Sequence, residues 1–154
     1  MNKLVKGLLI GALMLALTAC GGKKDEVKVD LGTLIDEVVA EHFAEAALID
    51  YDEDYLTNMM QMDTTLLESY VGKFPMIAAA PVDIGMFEAK EGNVEAVQKE
   101  VENYKQVKID NAWYPMIVDA AENAVILTKG NYVFFIMCEN TAEVQAQIEA
   151  AFTK

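Results

Sequence analysis

The stretch Ala124-Val125-Ile126-Leu127-Thr128-Lys129-Gly130-Asn131-Tyr132-Val133-Phe134-Phe135-Ile136-Met137 constrains the fold most. Two runs of β-branched and aromatic residues flank Lys129-Gly130-Asn131. A two-residue hairpin turn needs positive φ at one or both central positions, which glycine adopts freely and asparagine tolerates, so Ala124–Thr128 and Tyr132–Met137 read as a tight hairpin. Two more short apolar runs, Tyr70–Ala78 and Val82–Ala89, join at Ala80-Pro81 and suit a second hairpin. Pro75 inside the first of these cannot donate to a ladder and marks it as an edge strand.

Helical spacing fills the intervals. Leu31, Leu34, Ile35, Val38, Val39, His42, Phe43, Ala46 and Ala47 recur at three and four after Asp30, a helix-capping residue type, and predict an amphipathic helix to about residue 47. A polar break, Asp50 to Tyr55, leads to a short helix through Leu56, Met59 and Met60 and a brief helical piece near Thr64–Glu68. Asn93 heads a helix carrying Val94, Val97, Val101, Tyr104 and Val107, and Thr141 heads a last one carrying Val144, Ile148, Ala151 and Phe152. Asn111–Val118, broken by Pro115, reads as a connection or one further helical turn.

From Tyr70 onward the order is β-β-α-β-β-α. The expected architecture is α+β: a two-layer sandwich with a four-stranded, mostly antiparallel sheet, helices on one face, and N-terminal helices before it. Moving the first strand to the end gives the split β-α-β arrangement, so the chain reads as a circularly permuted ferredoxin-like topology. In that reading Val82–Ala89 is central, antiparallel to Tyr70–Ala78 and parallel to Tyr132–Met137, with Ala124–Thr128 on the far edge. Ile84, Met86, Val133, Phe135 and Met137 then face the helices.

The N-terminus sets the address. Lys3 and Lys6 precede an apolar run from Gly7 to Leu17, too short to span a bilayer, and small residues lead to Cys20. This is the pattern of an export signal over residues 1–19. Leu17-Thr18-Ala19-Cys20 resembles the lipobox of bacterial lipoproteins, which implies a diacylglyceryl group on the Cys20 thiol and cleavage before it. Residues 20–30, glycine and charge, form a flexible tether, and 31–154 one domain. The expected location is the extracytoplasmic face of the cell membrane, with two acyl chains giving the stable attachment that one would not.

Removing the signal leaves ten lysines against 25 acids, a net charge of about −15, with arginine absent throughout. Phosphate backbones are gripped by clustered lysine and arginine, so a nucleic-acid partner is not expected. Cys138 has no second cysteine to pair with once Cys20 is lipidated, and it falls at the end of an apolar run, where it reads as a small core residue.

Beyond the lipobox, three parts of the chain resemble the domain of unknown function 4358 family, small lipoproteins of Gram-positive bacteria: Asp83-Ile84-Gly85-Met86-Phe87-Glu88-Ala89-Lys90 with the helix after it, Glu122 to Tyr132, and the final helix. The resemblance runs from about Leu31 to the C-terminus. Family members commonly carry an arginine late in the middle helix, where this chain has Tyr104-Lys105. The family implies an address and a fold but no activity.

No catalytic set stands out. The sole serine beyond the signal, Ser69, and the sole histidine, His42, lack the spacing of a hydrolase triad, and nothing links His42 to Cys138. His42 lies beside Phe43 on the apolar side of its helix and reads as a structural histidine. Asp50, Asp52 and Asp54 alternate like the first ligands of an EF-hand, but the sixth position is Tyr55 and the twelfth Gln61 where glycine and glutamate are required. Met59, Met60 and Met62 recur as soft ligands do, yet helical methionines usually fill a core. Trp113 and Tyr114 suit a stacking platform or a core edge.

The sequence therefore predicts a non-enzymatic binding or accessory module at the cell surface, without cofactor, whose partner is an extracytoplasmic protein or small ligand. The alternative is a carboxylate-based, calcium-dependent sensor or enzyme. Convergence of three among Asp50, Asp52, Asp54, His42 and Asp83 in one concave site would favour that alternative.

Overall fold

The structure, a computed structural model, describes residues 27–77 and 80–153. The expected signal, Cys20 and the first part of the tether lie outside the described residues. Among those described, no helix is long and apolar enough to cross a membrane.

Helix α1 spans Leu31–His42 and starts where Asp30 Oδ1 accepts the Thr33 N–H at 2.7 Å. It stops at His42, short of residue 47, because the chain turns through Phe43 into a three-residue strand, β1, Leu48–Asp50. A π-helical turn, Tyr55–Met59, and a 3₁₀ turn, Thr64–Leu66, follow. Then come β2 (Leu67–Pro75), β3 (Asp83–Ala89), α2 (Val94–Asn111), α3 (Pro115–Glu122), β4 (Val125–Lys129), β5 (Tyr132–Met137) and α4 (Thr141–Ala151). Proline opens α3, where its missing N–H has no helical partner to lose, so this stretch is a helix and not a connection. Asn140 is the residue before α4, whereas Thr141 donates its hydroxyl to the Cys138 carbonyl at 2.8 Å.

The sheet has five strands, one more than expected, in the order β1-β2-β3-β5-β4. The added strand β1 pairs antiparallel with the end of β2, Leu48 opposite Pro75, so β2 is not an edge; Pro75 is tolerated as its last residue. β3 pairs with β5 antiparallel, from Asp83 opposite Met137 to Glu88 opposite Tyr132, which corrects the expected parallel pairing. The helical crossover returns β4 parallel to β3, and the tight turn at Gly130-Asn131 then reverses β5, which lies between them and opposes both. Gly130 has φ +56° and Asn131 does not share the positive φ, the pattern of a turn that needs glycine at its first central position.

Helices cover both faces, not one, which rules out the two-layer permuted ferredoxin arrangement. One core gathers Leu34, Ile35 and Val38 of α1 with Ile84, Met86, Phe134, Ile136, Val144 and Ile148. The other gathers Val97, Val101 and Tyr104 of α2 with Ala120 and Ala121 of α3, Phe87, Val133, Phe135 and Met137. Ile84 and Met86 thus face away from Phe135. All six residues of β5 are buried, as expected of a strand covered on both sides.

The described chain enters at one end of the sheet, where the Val29 N–H donates to the Tyr132 hydroxyl at 3.3 Å. Asp83 and Met137 lie at the other end of the same strand pair.

Candidate functional site

Asp83 opens β3 and is fully buried, the one charged side chain among the buried described residues. A carboxylate out of water demands a cation and hydrogen-bond donors. Three tyrosines and a lysine supply them. The Tyr51 hydroxyl, just past β1, donates to Oδ1. Tyr104 Oη lies 2.7 Å from Oδ2, Tyr55 Oη 3.1 Å and Lys108 Nζ 2.6 Å.

Each element delivers its group for a local reason. Tyr104 and Lys108 are four apart on α2 and so share one face. Asp52 Oδ1 accepts the Tyr55 N–H at 2.7 Å and sets the start of the π-helical turn that aims Tyr55 inward. Tyr51 lies flat across the cross-strand pair Gly72 and Gly85. A β-carbon on Gly72 would fall within the Tyr51 ring, and one on Gly85 would come within 2.8 Å of the Phe87 ring. Glycine is required here by close approach, not by backbone angle. Tyr55 stacks between Tyr51 and Phe74, with centroids 4.6 Å and 4.1 Å away.

Proton counting orders the cluster. Tyr55 Oη and Tyr104 Oη are 2.5 Å apart, and each phenol has one proton to give. Tyr104, nearer the carboxylate, donates to Oδ2; Tyr55 donates to Tyr104; Lys108 donates to Oδ2 and, at 3.3 Å, to Tyr55 Oη. The four groups close a ring. Burial, and then the negative charge of Asp83, hold the Tyr51, Tyr55 and Tyr104 hydroxyls well above their ordinary range, so they stay protonated donors. The ammonium and the carboxylate neutralise each other, leaving a rigid floor with its hydrogen bonds already formed.

Above this floor opens a groove of about 450 Å³, lined by Tyr55, Met59, Phe74, Met76, Tyr104, Lys108, Ile117 and Met137 among others. A second, smaller depression of about 380 Å³ with Trp113 and Tyr114 shares Asn111 and Ile117 with it. Met59, Met76, Ile77, Trp113, Tyr114 and Met116 are all exposed large apolar side chains, and Trp113 is 91% exposed. It covers no core edge. Of the three clustered methionines only Met60 and Met62 are buried.

The acids singled out in the sequence do not come together. Asp50 pairs with Lys73 Nζ at 2.5 Å, Asp52 caps the π-helical turn, and Asp54 precedes it without a side-chain cap. Among the described residues no three His, Cys, Asp or Glu side chains are placed to hold a metal ion. His42 lies against the opposite core: Nε2–H donates to Gln147 Oε1 at 3.0 Å and Nδ1 accepts from Asn140 Nδ2 at 2.9 Å, which occupies both ring nitrogens. Ser69 donates to Glu88 Oε2 at 2.7 Å on the surface, and Cys138 is buried with its thiol pushed up by burial.

Sequence reasoning named Asp83 but missed Tyr51, Tyr55, Tyr104 and Lys108 as its partners. Two signals stood in the chain: an aspartate flanked by Val82 and Ile84, and a lysine four residues after Tyr104 near the apolar stripe of α2. Of the lysines late in α2, Lys105 donates to the Ala124 carbonyl at 2.6 Å, and Lys108 is the one that reaches the carboxylate.

No curated protein and no solved structure matches the chain. The family model described as domain of unknown function (DUF4358) matches residues 45–138, a span that contains the whole Asp83 cluster and the groove above it. The chain belongs to that family.

Proposed function

We propose that the mature chain is a non-enzymatic binding module, held by lipid on Cys20 at the extracytoplasmic face of the cell membrane, and that its ligand occupies the groove above Tyr55, Tyr104 and Lys108. The observation that carries this reading is the pairing of an open apolar groove with a floor whose ionic groups already satisfy one another. A general acid or base must exchange protons with a substrate, whereas Asp83 is fully buried and the phenol protons of Tyr55 and Tyr104 are both engaged within the ring. An apolar cleft with a few convergent polar groups is what a binding site requires.

Photo-crosslinking in the native membrane tests it. A photoreactive residue at Met59 should give a discrete adduct, and one at Glu37 on α1 should not. Equal capture from both positions, or none from Met59, overturns the reading. The anchor is tested separately by intact mass: Cys20→Ala should leave an unlipidated precursor that retains its signal.

A further inference from the structure

We infer that the occupant of the groove is a cationic amphipathic peptide segment of a partner protein, an inference that rests on the groove being the binding site.

The walls are apolar and adaptable. Met59, Met76 and Met137 line the groove with Phe74 and Ile117, and thioether chains repack around differing side chains more readily than branched ones. The rim is acidic. Asp52, Glu53 and Asp54 are exposed immediately before Tyr55, and Asp110 is exposed immediately before Asn111, both of which line the groove. The ion pairs among the described residues are Lys73–Asp50, Lys108–Asp83 and Lys129–Glu149, so none of these four rim acids is in one. The cation in the lining, Lys108, is matched by Asp83. Beside the lining the unpaired exposed charge is thus mainly negative, Lys105 next to Tyr104 being the cation outside an ion pair.

Charge complementarity then selects among occupants. A second copy of a chain with net charge −13 brings like charge to the same rim, as does an anionic lipid surface or an acidic peptide. A neutral apolar molecule fills the cleft but leaves the rim acids unmatched. A segment with lysine or arginine beside leucine or aromatic residues satisfies both parts. Exposed Trp113, next to the groove through Asn111 and Ile117, adds an aromatic face for a cation.

The test displays a random 12-residue peptide library against the mature, lipidated protein in neutral detergent. Enriched peptides should combine basic and large apolar residues. Their affinity should fall at least five-fold from 50 to 300 mM salt, at least five-fold in Met59→Ser with Met76→Ser, and at least three-fold in Asp54→Asn with Asp110→Asn. These are exposed positions, so circular dichroism should be unchanged. Enrichment of neutral or acidic peptides that still depends on Met59 and Met76 overturns the cationic class and leaves the groove as the binding site. Enrichment indifferent to Met59 and Met76 overturns both. A concentration-dependent doubling of mass in light scattering, abolished by Met59→Ser with Met76→Ser, assigns the groove to a second copy and overturns the inference.

Discussion

The two faces of the sheet are built from alternate residues of the same strands, yet they do different things. Against α1 and α4, Ile84, Met86, Phe134 and Ile136 join an apolar core with no buried charge among the described residues, and its polar contacts include Val29 with the Tyr132 hydroxyl and His42 with Asn140 and Gln147. Against α2 and α3, the strands carry Phe87, Val133, Phe135 and Met137, and also a buried carboxylate ringed by three phenols and an ammonium, with a groove beside it. One face is held chiefly by packing. The other combines packing with a polar cluster that demands particular partners and leaves a surface unfilled. Hydrophobic burial alone accounts for the residues of the first face but not for those of the second.

Removing the charged centre should have the largest effect. Asp83→Ala leaves the Lys108 ammonium half-buried without its counter-ion and the Tyr51 and Tyr104 hydroxyls short of an acceptor, a loss of about 3–5 kcal/mol. A loss under about 1 kcal/mol in denaturant unfolding would dissolve the contrast between the faces. In the same range stand Phe134→Ala and Phe135→Ala, which report on one face each and should both cost about 3–5 kcal/mol. If only Phe135→Ala were costly, the α1–α4 face would not be a true core.

Tyr104→Phe is gentler and more diagnostic. It removes the short donor to Oδ2 and the acceptor for Tyr55, for about 1–3 kcal/mol. It should also change the alkaline limb. Tyr104, like Tyr51 and Tyr55, is raised above its ordinary value near 10 by burial and then by Asp83, so folding favours the protonated form. The unfolded chain ionises first as pH rises. Stability from these groups is complete below about pH 10 and is lost progressively above it. Chemical denaturation from pH 8 to 11 should therefore show a shallower decline in Tyr104→Phe; an identical slope would mean that the ring does not hold its protons. Of similar size but belonging to neither face, Gly130→Val strains the β4–β5 turn by about 1–3 kcal/mol while leaving groove binding intact.

The same contrast explains what could be read from sequence. The hairpin at Gly130-Asn131, the middle helix and the cap at Asp30 are local: a turn residue, a repeat of three and four, a side chain reaching its own backbone. Two-sided burial was also written in Tyr132–Met137, an unbroken apolar run, but strands were assumed to alternate inward and outward. β1 escaped because three residues carry no period, and its partners lie 23 to 27 positions away, from Asp50 with Lys73 to Leu48 with Pro75. The Asp83 ring was hidden for a like reason. Its members come from the end of β1, the π-helical turn, β3 and α2, and only Tyr104 and Lys108 are near enough in sequence to be read as a pair. An isolated buried acid announces that partners exist without saying which.

The hydrogen bond from Val29 to Tyr132 has a consequence for how the molecule stands. It brings the chain in at the end of β5 opposite Met137, and Met137 is in the wall of the groove. Nine peptide steps separate Val29 from Cys20, a reach of at most about 30 Å. An attachment anywhere before Val29 therefore reaches the domain at the end of the β3–β5 pair away from Met137, and the length of that pair, six residues or about 20 Å, separates the point of entry from the groove wall.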